Sequence, residues 1–81
     1  MTIRLTSRAR KDIRKLSPRN LERVRSAVLS LADDPQRGIP LAGGWAGYRR
    51  LRVGDYRIIY RIHDEGEIVV HYVRSRGAAY R

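Results

Sequence analysis

Residues 48–62, YRRLRVGDYRIIYRI, decide the fold through their alternation. Residues 47–53 and 56–63 each read as a strand, and Gly54-Asp55 between them suits a two-residue hairpin loop. That loop sets Val53 opposite Tyr56, Arg52 opposite Arg57, Leu51 opposite Ile58 and Arg50 opposite Ile59. Side chains along a strand point to opposite faces in turn. One face therefore collects Leu51, Val53, Tyr56, Ile58, Tyr60 and Ile62, with Arg49 near its margin. The other collects Tyr48, Arg50, Arg52, Arg57, Ile59 and Arg61.

The pattern extends outward in both directions. Asp64-Glu65-Gly66 reads as a further turn, and Ile68 to Val73 as a further strand. Ile62 opposite Ile68 adds Ile68, Val70 and Tyr72 to the apolar face, and Val69, His71 and Val73 to the other. Residues 2–6 suit a short strand. Ser7 reads as the cap of a helix carrying Ala9, Ile13 and Leu16, and Ser17-Pro18 as the start of a second with Leu21, Val24, Val28 and Leu31. Asp33-Asp34-Pro35 ends it. Residues 36–47 are rich in Gly and Pro and read as a loop, in which Trp45 either anchors the segment to the core or offers a ring for a base to stack on. The order is β-α-α-β-β-β. It predicts an α+β domain, an antiparallel meander sheet with a helical hairpin packed on its apolar face.

The second face carries the functional signal. It places like charges, Arg52 and Arg57, directly opposite one another, which destabilises a sheet. Between Tyr48 and His63 the only carboxylate is Asp55, in the turn. An anion seated among the arginines accounts for this, and phosphate is the anion that planar guanidiniums hold best. The whole chain agrees. Its 81 residues include 18 Lys or Arg against 8 Asp or Glu, for a net charge of +10, and only Lys11 and Lys15 are lysine. Nucleic acid is the first partner such a field implies. Hydrophobic residues make up 42%, too many for a disordered basic tail.

Other classes drop out. Without cysteine there is no disulfide, thiolate nucleophile or Cys-based zinc site, and two histidines do not make a metal cage. No cofactor is expected. No apolar run suits a membrane span or a signal peptide, so the expectation is a soluble cytoplasmic protein. So small a domain is marginal alone, which favours a protein partner.

The 48–62 stretch also resembles the core motif of the RelE/ParE toxin superfamily, in which a basic strand runs into Gly54, Asp55, Tyr56 and Arg57 and then Tyr60. Val73, Arg74, Ser75 and Arg76, with Tyr80, resemble the family's C-terminal pattern. The resemblance implies a single toxin domain over residues 1–81, from a bacterial type II toxin–antitoxin pair. Its RelE branch implies a metal-independent endoribonuclease that cuts mRNA at the ribosome. Its ParE branch implies inhibition of DNA gyrase instead, and a non-catalytic RNA- or antitoxin-binding relative is a third possibility. Carried over by position, Arg57 holds the scissile phosphate, Arg76 stabilises the transition state, and Tyr80 orients the nucleophile or stacks on a base. Arg50 and Tyr48 stand where RelE has lysines. The catalytic set implied is Arg50, Arg57, Arg76 and Tyr80, with Tyr48, Arg52, Arg61 and His71 as RNA contacts. The partners implied are mRNA, the ribosome and an antitoxin with an acidic segment that folds on binding.

The chemistry suits these groups. The 2′-hydroxyl of RNA attacks the adjacent phosphate, and guanidiniums offset the charge that develops. Arginine stays protonated, so Arg50 does not shuttle protons as a lysine would. Tyr48, Tyr80 and His71 are the side chains left for that work.

Overall fold

The hairpin forms in the register that alternation predicts. In the computed structural model, which describes residues 2–63 and 66–75, β3 (Tyr48–Val53) and β4 (Tyr56–His63) pair antiparallel. Arg52 lies opposite Arg57 and Leu51 opposite Ile58. Gly54 takes φ +59°, a conformation the turn needs and a side chain resists. β5 (Glu67–Ser75) continues the antiparallel meander on the far side of β4.

Two features of the sheet differ from the sequence expectation. The first strand, β1 (Thr2–Leu5), runs parallel to β5, so the sheet is mixed and its order is β1-β5-β4-β3-β2. Alternation marks a strand's faces but not its direction. The second difference is β2 (Ile39–Pro40), which pairs with Arg49 and Arg50 inside the stretch read as loop. Two residues are too few to show a period, and proline is tolerated there because the strand is an edge.

Helices α1 (Ser7–Arg14) and α2 (Pro18–Ser30) cover one face of the sheet. Their Ala9, Val24 and Val28, with Leu31 just beyond, pack with Leu51, Ile58, Tyr60, Ile68 and Val70. Ser17 caps α2 ahead of Pro18, as expected. The α1 cap is Thr6 rather than Ser7: its Oγ1 accepts from Ala9 N at 3.1 Å. No helix among the described residues is long and apolar enough to cross a membrane.

Tyr60 ties the 35–38 loop to this core. It is fully buried. Its hydroxyl donates to Pro35 O at 2.7 Å and accepts from Gly38 N at 2.9 Å. Burial pushes the phenol pKa up, which keeps it a neutral donor. A Cβ on Gly38 would stand 2.7 Å from the Tyr60 hydroxyl oxygen, so this close approach requires glycine. Arg49, at the margin of this face, donates to Gly38 O at 2.7 Å.

A β-bulge corrects the face assignment on β5. Ile59 lies opposite Tyr72, but Tyr60 lies opposite Val70, so His71 is the extra residue. Beyond it the faces exchange. Val73 is buried in the core, and Tyr72 turns to the open face, the reverse of what strict alternation predicts. Thr6 holds the bulge. Its Oγ1 donates to His71 O at 2.7 Å, and its backbone N donates to Val70 O at 3.1 Å. Past the bulge, Val73 N donates to Asp12 Oδ2 at 3.0 Å, so α1 covers an edge that β1 does not reach.

Thr6→Val keeps the side-chain shape but removes both hydroxyl contacts. Chemical denaturation should show a loss of about 1–3 kcal/mol. An unchanged midpoint would show that the bulge does not depend on Thr6.

Candidate nucleic-acid interface

The face opposite the helices is built in rows across the strands. Arg52, Arg57 and Arg74 form one row, on β3, β4 and β5. Arg50, Ile59 and Tyr72 form the next. Tyr48, Arg61 and Val69 form the third, with Arg4 of β1 beyond Val69. The hairpin places four of these arginines, and the bulge adds Arg74.

Aromatic rings lie over the middle of the face. The 3-10 turn Gly43–Trp45 brings Trp45 onto it. Trp45 meets Tyr48 edge to face at 5.4 Å between centroids and Tyr72 at 5.7 Å. It remains 47% exposed, so it leans on the open face and does not anchor its loop in the core. Tyr48 meets His71 at 4.9 Å. The guanidinium of Arg74 lies 4.5 Å from the Tyr72 ring centroid, and that of Arg61 lies 5.5 Å from Tyr48. Beneath these rings and the arginine stems, Ile59 is only 5% exposed and Val69 only 3%.

Between the rows and Trp45 lies a hollow of about 240 Å³. Arg50, Arg57, Arg74, Tyr72 and Trp45 form its walls, with Leu41 and Ile59 as apolar lining. Two of the four predicted catalytic residues, Arg50 and Arg57, therefore meet in one concavity. Arg76 and Tyr80 lie outside the described residues. Of the predicted RNA contacts, Arg52 flanks Arg57, while Tyr48, Arg61 and His71 form a cluster beside the hollow. Trp45, Tyr72 and Arg74 complete the hollow, and of these Tyr72 and Arg74 had no role in the sequence reading. Tyr72 escaped because the bulge reverses its face.

The arrangement suits anion binding. Guanidiniums from adjacent strands converge where a phosphate could span them, and their planar forks match its oxygens. Proton transfer is another matter, since arginine does not release its proton. His71 Nε2 is buried without a hydrogen-bond partner. Burial first, then His63, Arg61 and Arg4, push the His71 pKa down, so the ring is neutral near neutral pH. Among the described residues no group of three or more His, Cys, Asp or Glu could hold a metal.

Comparison with known proteins agrees with this geometry. A family model for the ParE toxin of type II toxin–antitoxin systems matches residues 3–80. Toxin RelG of Mycobacterium tuberculosis is 42% identical over 83 residues, covering 99% of this chain and 95% of the relative. The RelBE2 toxin–antitoxin complex of M. tuberculosis contains a chain 40% identical, with a TM-score of 0.86 over 93% of this chain and 96% of that one. The isolated RelE toxin of E. coli shares the fold, with a TM-score of 0.75 at 21% identity over 98% of this chain and 92% of that one. Fold and face together define a small α+β toxin with a basic open sheet. The chain belongs to the RelE/ParE family of type II toxin–antitoxin toxins.

A histidine held neutral takes up its proton in the unfolded chain first. Its contribution to stability is present above the ordinary histidine pKa of about 6.5 and is lost as pH falls through the depressed folded value. Unfolding free energy should decline from pH 7 to pH 5.5, and less steeply in His71→Phe. Parallel curves for the two proteins would remove His71 from the effect.

Proposed function

We propose that this toxin is a metal-independent endoribonuclease that cleaves mRNA at the ribosome. The observation that carries the reading is the arginine row, Arg52, Arg57 and Arg74, with Arg50 beside it in the same hollow. Directly opposed guanidiniums disfavour the folded state, and an anion seated among them offsets that cost. In the proposed reaction the 2′-oxygen bonds to the adjacent phosphorus and the bond to the 5′-oxygen breaks. The 2′-hydroxyl gives up its proton as the bond forms and the leaving 5′-oxygen takes one up, so the products are a 2′,3′-cyclic phosphate and a 5′-hydroxyl. Arg57 holds the scissile phosphate, and Arg50 offsets charge on the phosphorane oxygens. By resemblance, Arg76 adds to that charge stabilisation and Tyr80 orients the nucleophile. Arg52 and Arg61 guide the flanking backbone, and Tyr48, backed by His71, presents a ring to it.

The second reading is inhibition of DNA gyrase, favoured by the match to a ParE family model. The partner in either case is a cognate antitoxin. An apolar groove of about 350 Å³ between β1, α1 and α2, lined by Ile3, Leu5, Ile13 and Val28, ends at the 56% exposed Leu29. Arg25 rims it, and Arg10 and Arg14 line an adjoining hollow that shares Leu5 and Ile13. That combination suits an amphipathic antitoxin helix with acidic flanks. We also place the toxin in the cytoplasm, where mRNA and ribosomes are.

Primer extension on mRNA being translated, after toxin induction, tests the reading. The wild type should give breaks within codons. Arg57→Ala should reduce them about 100-fold or more while the protein still folds, and Arg57→Lys should recover little because it lacks the fork. Intact transcripts with gyrase-dependent DNA breaks would establish the second reading instead.

A further inference from the structure

The hollow has one wall that phosphate chemistry does not require. Trp45, exposed on a short turn, stands edge-on to Tyr72, and the two rings flank a floor of Ile59 and Leu41. Phosphate needs donors, which Arg50, Arg57 and Arg74 supply. An apolar floor beside two aromatic rings offers a phosphate nothing. It offers a flat π-system a desolvated place to lie. The volume of about 240 Å³ has room for a single ring system rather than a duplex. The guanidiniums of Arg74 and Arg8 already lie over the Tyr72 ring, 4.5 and 5.8 Å from its centroid, which holds that ring in place and leaves the exposed Trp45 as the surface for stacking.

We infer that Trp45, backed by Tyr72, forms the wall of a slot for one unstacked RNA nucleobase, adjacent to the phosphate held by the arginine row. This rests on the reading of the face as an RNA site and names the part of the substrate that sets its register. Single-stranded RNA is recognised through bases splayed out onto aromatic side chains. Stacking tolerates sequence because every base has a π-face. The slot therefore distinguishes a nucleotide with a base from one without, and ranks the four bases within a few-fold of one another. Trp45 and Tyr72 are positioning residues. They take no proton, and they fix which phosphate along the strand reaches Arg57.

Trp45 is the only tryptophan in the chain, so its fluorescence reports on this slot alone. The probes are 2′-O-methyl tetranucleotides, which lack the nucleophile, carrying one abasic site moved through the four positions. At one position the abasic site should weaken binding about tenfold or more and abolish Trp45 quenching. Calorimetry on Trp45→Ala should show that positional effect lost, and on Trp45→Phe largely kept. If abasic probes bind and quench like the intact one at every position, the slot is overturned while the phosphate site stands. If Arg57→Ala binds every probe as tightly as wild type, the RNA reading of the face fails and the slot fails with it.

Discussion

The open face depends on a single hydroxyl. Thr6 Oγ1 donates to the carbonyl of the bulged His71 and accepts from Ala9 N, so one atom closes the bulge and opens α1. The bulge sends Val73 into the core and leaves Tyr72 and Arg74 on the open side. A regular β5 would bury Tyr72 under the helices and remove the ring beside Trp45. The third arginine of the row would leave as well. The linkage of β1, α1 and β5 is thus also what assembles the hollow.

Much of this was legible in the sequence. The Gly54-Asp55 turn and the alternation around it were enough to place Arg50, Arg52, Arg57 and Arg61 on one face, because side-chain period and loop length together fix a register. The helices showed in their spacing and in Ser17-Pro18. The bulge did not show, because one inserted residue leaves a strand's composition unchanged. Nothing in Ile68 to Val73 marks His71 as the extra one. The direction of β1 was hidden for a similar reason. Trp45 was only half legible because tryptophan in a loop ordinarily packs inward, and here the aromatic surface it meets, Tyr48 and Tyr72, lies on the outside.

The two faces of the sheet divide the chemistry. On the covered face, Tyr60 and Arg49 use their polar atoms on the 35–38 loop, which carries the chain into β2 and on toward the Trp45 turn. On the open face, Arg4 pairs with Glu67 at the β1 edge, while Arg52, Arg57 and Arg74 stand side by side across β3, β4 and β5. This costs stability in the free protein and favours any anion that binds. A nucleic-acid strand and an acidic antitoxin segment are both such anions, so on the proposed reading the same repulsion would support activity and its control.

The central claim is that this open face, and not the helical one, receives RNA. Photocrosslinking a 4-thiouridine-labelled, 2′-O-methyl oligonucleotide, followed by peptide mapping, tests it most directly. The account predicts adducts within residues 45–61 and 71–75, with Trp45 and Tyr72 foremost. Adducts confined to α1, α2 and β1 would contradict it.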